Sequence, residues 1–232
     1  MTMENEDLQG TVSKTDSLMK TRFSCRYYLD KEVPRHTLED IIEVARFAPS
    51  GNNIQPWEKV HCITGARLKL VQTELLKAFQ ENPEGHKAEY TYYPTPVTLM
   101  PEVFAHRRQE TGRILGQALN IDRADAVRRA EVAGRNYRFY DAPVALVFTI
   151  DRRLEKGSWI DLGFFIQSII IAARARGLET CTQESIAQFH EVLRKHIPIA
   201  DNEIVVVGMA IGYPDVEATE RQVDDIIQFH VA

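Results

Sequence analysis

Two stretches carry side chains whose types and spacing could do chemistry. The first is Ala48-Pro49-Ser50-Gly51-Asn52-Asn53-Ile54-Gln55-Pro56-Trp57. Pro49 excludes helix here, because it lacks an N–H and pushes the residue before it out of the α region. Ser50, Gly51, Asn52 and Asn53 are turn formers that offer hydroxyl, amide and bare backbone N–H groups, and Gln55 adds another amide. Gly51 lets the backbone come close to a bound group. The second stretch is Arg22-Phe23-Ser24-Cys25-Arg26. Arginines four apart share a face in helix or strand, and in an extended segment Ser24 lies between them. Two guanidinium groups beside a hydroxyl suit a phosphate or carboxylate. The plainer alternatives are a helix-to-strand connector with Trp57 plugging the core, and a pair of solvated arginines.

Regular elements must hold these stretches in place. Thr37 can cap a helix over 38–47, in which Leu38, Ile41, Ile42 and Ala45 keep the helical apolar period and Pro49 ends it. A strand over 59–63 and a helix over 68–79 follow. Residues 143–150 are apolar on both faces, as in a central strand. The segment 159–176 is apolar nearly all round and stops before Gly177, so it needs either a surrounding core or a second subunit. A short strand over 178–183, a helix capped by Ser185 and running to about His196, and a strand over 203–211 complete the pattern. Residues 1–15 are polar and expected to fray or to lie across a partner, and 224–230 form a short amphipathic tail.

The stretch 81–140 differs in character. It is rich in breakers, with Pro101 opening a helix to about Leu119 and Asp122 capping a second to about Gly134. Arg107, Arg108, Arg113, Arg123, Arg128, Arg129, Arg135 and Arg138 make it basic. Taken singly these are solvated arginines; as a unit, with Tyr90, Tyr92 and Tyr93, they read as a lid-like insertion over a site for an aromatic or anionic molecule.

Composition narrows the classes. The 232 residues suit a single domain with one excursion, and 44% hydrophobic with 26% charged residues is ordinary for a globular chain. No apolar run reaches the roughly 18 residues a bilayer span needs, and the N-terminus is acidic, so a cytoplasmic protein with no membrane partner is expected. Cys25, Cys62 and Cys181 form no C-x-x-C and read as reduced thiols. A net charge of −5 removes the global reason to bind nucleic acid. There is no G-x-G-x-x-G, phosphate-binding G-x-x-x-x-G-K-[ST] or G-x-S-x-G elbow, and His190 and His196 lack the spacing of metal ligands, so no metal is expected. An α/β binding protein for a planar, anionic ligand survives.

Several separate stretches resemble, in order and spacing over residues 20 to 230, the nitroreductase family of flavin enzymes. They are Arg22-x-Ser24-x-Arg26, the 48–57 stretch, Asp141-Ala142-Pro143, Gly177-Leu178-Glu179-Thr180-Cys181, Gly208-Met209-Ala210-Ile211-Gly212-Tyr213-Pro214 and Glu220-Arg221. Residues 135–140 with Trp159-Ile160-Asp161-Leu162-Gly163 are most similar to the nitrobenzoate-reductase branch. The resemblance implies an α+β fold, with a central, mostly antiparallel sheet flanked by helices, in an interlocked homodimer. FMN would lie at the subunit interface. This replaces the wound α/β pattern and supplies a partner for the helix over 159–176.

Residue by residue, the resemblance implies that Arg22, Phe23, Ser24 and Arg26 form the first FMN segment. Pro49, Ser50, Gly51, Asn53 and Gln55 would reach the flavin from the other subunit. Glu184 and Ser185 would present backbone groups to the flavin N5 edge, Asn136 would contact the ring system and Arg221 the phosphate. Arg26, near the pyrimidine edge, and Glu184 are the catalytic positions it implies. Arg107, Arg108, Tyr137 and Phe139 are expected around the substrate. The implied activity is ping-pong hydride transfer from NADPH or NADH through flavin N5 to nitroaromatic or related electrophiles. An enone or quinone reductase or dehalogenase of the same fold, or a non-catalytic FMN-binding protein, are the alternatives. Ala218-Thr219-Glu220 departs from the family pattern, since many relatives carry Asn or Lys there.

Overall fold

Four antiparallel strands, β1 (Val60–Thr64), β2 (Val144–Asp151), β3 (Glu179–Gln183) and β4 (Glu203–Gly212), form a sheet in the order β1-β2-β4-β3. The computed structural model describes residues 5–86, 89–94, 96–122 and 124–218. Arg123, Arg221 and the 224–230 tail lie outside the described residues.

The two faces of the sheet explain why β2 is apolar at nearly every position. Successive strand residues point to opposite faces. Val144, Leu146, Phe148 and Ile150 meet α2 (Arg35–Ala45) and α6 (Lys156–Arg174) on one side. Ala145 and Val147 meet α3 (Gly65–Glu81), α5 (Ala126–Tyr137) and α7 (His190–His196) on the other. Helices on both faces of an antiparallel sheet match the α+β architecture expected.

Several boundaries differ from the sequence reading. Residues 5–20 form a helix, α1 (Asn5–Lys20), rather than a frayed end. Pro34, not Thr37, precedes the first residue of α2, its φ of −59° already set for helix entry. Asp125 rather than Asp122 caps α5, its carboxylate accepting from the Arg128 N–H. Asp122 instead accepts from Ala124 N in a tight turn. Ser185 lies inside a 3-10 turn over Glu184–Phe189, and helical geometry starts only at His190.

The excursion divides into unlike halves. In α4 (Glu102–Ala118) the one buried side chain is Ile114, while Val103 and Phe104 face outward. By contrast α5 is built into the core: Tyr137 stacks on Phe79 at 4.3 Å, and a Cβ on Gly134 would lie 2.9 Å from Leu76 Cδ1. Any cover therefore ends before α5. Among the described residues no helix is long and apolar enough to cross a membrane.

Candidate functional site

The arginine segment is extended, one of the two conformations its spacing allows. Ser24 bridges Thr180 of the edge strand β3, Cys25 N donates to Thr180 O at 3.0 Å, and Leu29 N donates to Tyr213 O at 2.9 Å. Arg26 Nη1 donates to the Ser24 carbonyl at 3.2 Å, and the guanidinium carbon lies 5.9 Å from the centre of the Tyr140 ring. Burial works against the charge of Arg26, yet the surrounding Cys181, Tyr140 and Tyr28 groups more than offset it. Burial also pushes the Cys181 thiol up, against the pull of Arg26 and Arg22. The nearby Arg174 and Arg138 are matched to Glu179 and Asp141, whereas among the described residues Arg22, Arg26 and Arg135 face no carboxylate within ion-pair distance. Unmatched guanidinium groups gathered at one sheet edge are chemistry for an anion.

Next to them lies a polar cluster. Asn136 Nδ2 donates to Ser185 Oγ, and Gln183 Nε2 donates to the Asn136 backbone oxygen and, at 3.1 Å, to its Oδ1. Gln183 is 2% exposed, and its Oε1 is a buried acceptor with no partner among the described residues. The sequence reading missed Gln183; its signal is a polar residue paired with Gly208 in a buried strand register. Glu184 is half-buried, and burial pushes its carboxyl above the usual range. Tyr137 is buried along its ring and reaches this cluster through its hydroxyl, at Ser185. Phe139 must be corrected: it is 0% exposed, enclosed against Ile186 and Gly208, and so belongs to the core rather than to a substrate wall.

The amide loop stands elsewhere. Asn52, Asn53 and Gln55 adopt left-handed φ values of 49°, 57° and 48°, which cost non-glycine residues of order 1 kcal/mol each. Short-range bonds hold them: Ser50 Oγ accepts from Gln55 N at 3.0 Å, and Gln55 Nε2 donates to Asn53 Oδ1 at 2.9 Å. Gly51 N donates to Asp161 Oδ2 of α6 at 3.1 Å. No described hydrogen bond joins the loop to residues 22–26 or 183–185. Pro49 lies between the end of α2 and this loop, four residues beyond Ala45. Trp57 is the core plug that the plainer alternative anticipated, stacked on Phe165 at 4.9 Å.

The excursion is rooted beside Glu184. Tyr90 donates its hydroxyl hydrogen to the Val206 carbonyl, and burial with the charge of Glu184 pushes the hydroxyls of Tyr90 and Tyr93 up. Arg108 lies 5.5 Å over the Tyr93 ring and Arg107 5.9 Å over Phe104, both arginines exposed. A cavity of about 1220 Å³ lies between α2, β1 and α3, but its lining includes none of Arg22, Arg26, Asn136 or Glu184. Among the described residues no group of His, Cys, Asp or Glu is arranged to hold a metal ion. His196 instead contacts Glu74 at 2.8 Å.

Unmatched arginines and one open amide acceptor, at the edge of an antiparallel sheet in an α+β fold, are suited to a planar group bearing negative charge. The chain belongs to the nitroreductase family, whose model matches residues 19–213. It is 40% identical over 207 residues to a nitrobenzene nitroreductase of Ectopseudomonas oleovorans, covering 89% of each chain. It is 35% identical over 208 residues to a 4-nitrobenzoate reductase of Pseudomonas putida, covering 88% of this chain and 87% of that one. Among solved structures, the FMN- and NADPH-dependent nitroreductase NfnB of Sphigopyxis sp. strain HMH superposes with a TM-score of 0.84 at 31% identity, over 94% of this chain and 99% of that one. The FMN-dependent NfnB of Mycobacterium smegmatis in complex with NADPH gives 0.85 at 25% identity, over 94% and 95%.

Proposed function

We propose that this protein is an FMN-dependent oxidoreductase that uses NAD(P)H to reduce nitroaromatic compounds. The observation that carries the reading is the set of guanidinium groups of Arg22, Arg26 and Arg135, gathered without matching carboxylates among the described residues. A phosphate and an electron-rich ring edge satisfy such groups, and the buried Gln183 Oε1 offers an acceptor to a ligand N–H or hydroxyl. When bound, FMN supplies the hydride chemistry.

In this reading Arg22 and Ser24 hold the phosphate, with Arg221 as a second cation and Phe23 alongside. Arg26 sits at the pyrimidine edge, where a fixed cation favours the reduced, anionic flavin. Asn136 with Gln183 lines the ring, and Ser185 and Glu184 present backbone groups, with the Glu184 carboxyl, pushed up by burial, beside them. Pro49, Ser50, Gly51, Asn53 and Gln55 complete the site from a second copy of the chain. Two observations favour that homodimer. The loop is pinned to Asp161, away from its own arginines. Phe47, Ile54, Ile160 and Phe164 are 76%, 51%, 60% and 47% exposed, more apolar surface than a monomer ordinarily leaves on neighbouring elements. Tyr92, Tyr93, Phe104, Arg107 and Arg108 form the cover under which nicotinamide and nitroaromatic alternate, giving ping-pong kinetics.

The test is spectroscopic. The purified protein should be yellow, release FMN on denaturation, bleach with NADPH or NADH without oxygen, and recolour on adding a nitroaromatic. A colourless protein that takes up no added FMN overturns the flavoenzyme reading. One that bleaches but is not reoxidised by nitroaromatics is a different reductase of the fold.

A further inference from the structure

The turn after α5 has an unusual backbone. Phe139, Tyr140 and Asp141 have successive φ values of 50°, 52° and 59°, a left-handed run without glycine. It is held from several sides. Gln72 Nε2 donates to the Arg138 carbonyl at 2.9 Å, Arg138 pairs with Asp141 at 2.8 Å, and Phe139 is locked into the core. Strain over-determined in this way marks positions where the side chains' directions matter.

Its consequence is where Tyr140 points. With Phe139 turned inward, the Tyr140 ring comes to face two cations: Arg26 at 5.9 Å and Arg135 at 5.7 Å from its centre. The Tyr140 hydroxyl is within reach of the Arg26 guanidinium. Arg135, in the last turn of α5, lies 4.2 Å over the Tyr27 ring and donates from Nη2 to the Arg26 carbonyl at 2.6 Å. Arg26 is thus held at its backbone by Arg135 and at its side chain by the Ser24 carbonyl, with the Tyr140 ring facing its guanidinium. A guanidinium restrained at so many points is pre-organised, and a pre-organised charge stabilises developing charge without reorienting.

We infer that Tyr140 and Arg135 are positioning residues for Arg26 and, through it, set how strongly the site favours reduced over oxidised flavin. The inference rests on the proposed place of Arg26 beside the flavin. Tyr140→Phe keeps the ring and its packing but removes the hydroxyl that faces the guanidinium. Arg26 then spreads over several orientations, and the anionic reduced flavin loses part of its partner.

The experiment is an anaerobic redox titration of the FMN-loaded protein against reference dyes, with FMN affinity of the oxidised form measured in parallel. Tyr140→Phe should weaken the preference for reduced flavin about tenfold, a fall of about 30 mV for a two-electron couple. Arg26→Ala should shift it in the same direction by at least as much. The double variant should match Arg26→Ala alone, because a residue acting through Arg26 has nothing left to act on. Arg135→Lys, which keeps a donor for the Arg26 carbonyl, should stay nearer wild type than Arg135→Met. A purely structural role would lower affinity for both redox states and leave the potential unmoved. An unchanged potential in Tyr140→Phe, or additive effects in the double variant, while Arg26→Ala shifts it, overturns the inference and leaves the flavoenzyme reading standing. An unmoved potential in Arg26→Ala overturns both this inference and the role of Arg26. A wild-type protein that binds no FMN overturns the function itself.

Discussion

Glu89 is the root of the excursion, and replacing it with glutamine tests whether that root is held by charge. Its carboxylate accepts from Arg152 Nη2 at 3.0 Å and from Arg194 Nη2 at 3.2 and 3.3 Å, and lies 3.6 Å from His190 Nδ1. Val205 N points at it from 3.4 Å, next to Val206, the residue left out of register at the β2–β4 bulge and the acceptor for Tyr90. Charge-assisted hydrogen bonds contribute roughly 1.5–3 kcal/mol against 0.5–1.5 for neutral ones. Glu89→Gln keeps the shape and one acceptor but loses the charge. The Arg194 contact is largely shielded from water; the Arg152 side chain is 42% exposed, so its share shrinks toward surface values. The expected loss is about 2 kcal/mol, or about 4–8 °C in Tm for a chain of this size. Burial alone would raise the Glu89 carboxyl, but the bonds from Arg152 and Arg194 outweigh it and hold it below the ordinary range. A depressed folded-state value contributes stability above the unfolded value, about 4.3, and loses it as pH falls through the folded one. Thermal unfolding of both proteins across pH should therefore show the full gap at pH 7 and a narrowing gap below about pH 4. A variant as stable as wild type at pH 7, or a gap that does not change with acid, refutes the reasoning.

Other outcomes follow from the same coordinates. In Gly208→Ala the new Cβ would lie 2.8 Å from Phe139 Cε1 and 3.1 Å from Ile186 Cγ1, both on fully buried side chains; overpacking of this kind costs about 1–3 kcal/mol, and unchanged urea unfolding would contradict it. Asp161→Ala frees the Gly51 N–H and loosens a strained, exposed loop, so FMN affinity should fall about tenfold by fluorescence titration while Tm moves little. Equal affinity would detach the loop from the flavin. Replacing Arg107 and Arg108 with glutamine should raise KM several-fold for a nitrobenzoate and leave it unchanged for a neutral nitroaromatic. Parallel shifts for both would make these arginines structural.

The layered core was legible because burial writes itself as periodicity. The uninterrupted apolar run of β2 and the nearly all-round apolar α6 appear in the chain as they do in space. Strand direction was not legible, since a strand covered on both faces is uniformly apolar whether its neighbours run parallel or antiparallel; the family resemblance, not the pattern, supplied it. The charge of residues 126–138 likewise hid a packing face. Arg128, Arg129 and Glu131 occupy the wet side of α5, and the buried side is marked by little more than Gly134 and Tyr137, too sparse a stripe to read as core.

At the candidate site, the shared face of Arg22 and Arg26 was legible in their spacing, but whether the segment is helical or extended was not; the bridge from Ser24 to Thr180 makes it extended. Arg135, Tyr140 and Gln183 escaped, since their roles depend on a turn and a strand register that spacing does not encode. The clearest failure is also the most informative. Phe139 and Tyr140 are adjacent aromatic residues, and reading them by type put a core residue, Phe139, beside the substrate. The left-handed run sends Phe139 into the core and Tyr140 toward Arg26. Glycine would adopt this backbone without the steric penalty, yet none of the positions is glycine. The strain is kept because each side chain has work that glycine cannot do: Phe139 fills the space over Gly208, Asp141 pairs with Arg138, and Tyr140 restrains the guanidinium of Arg26.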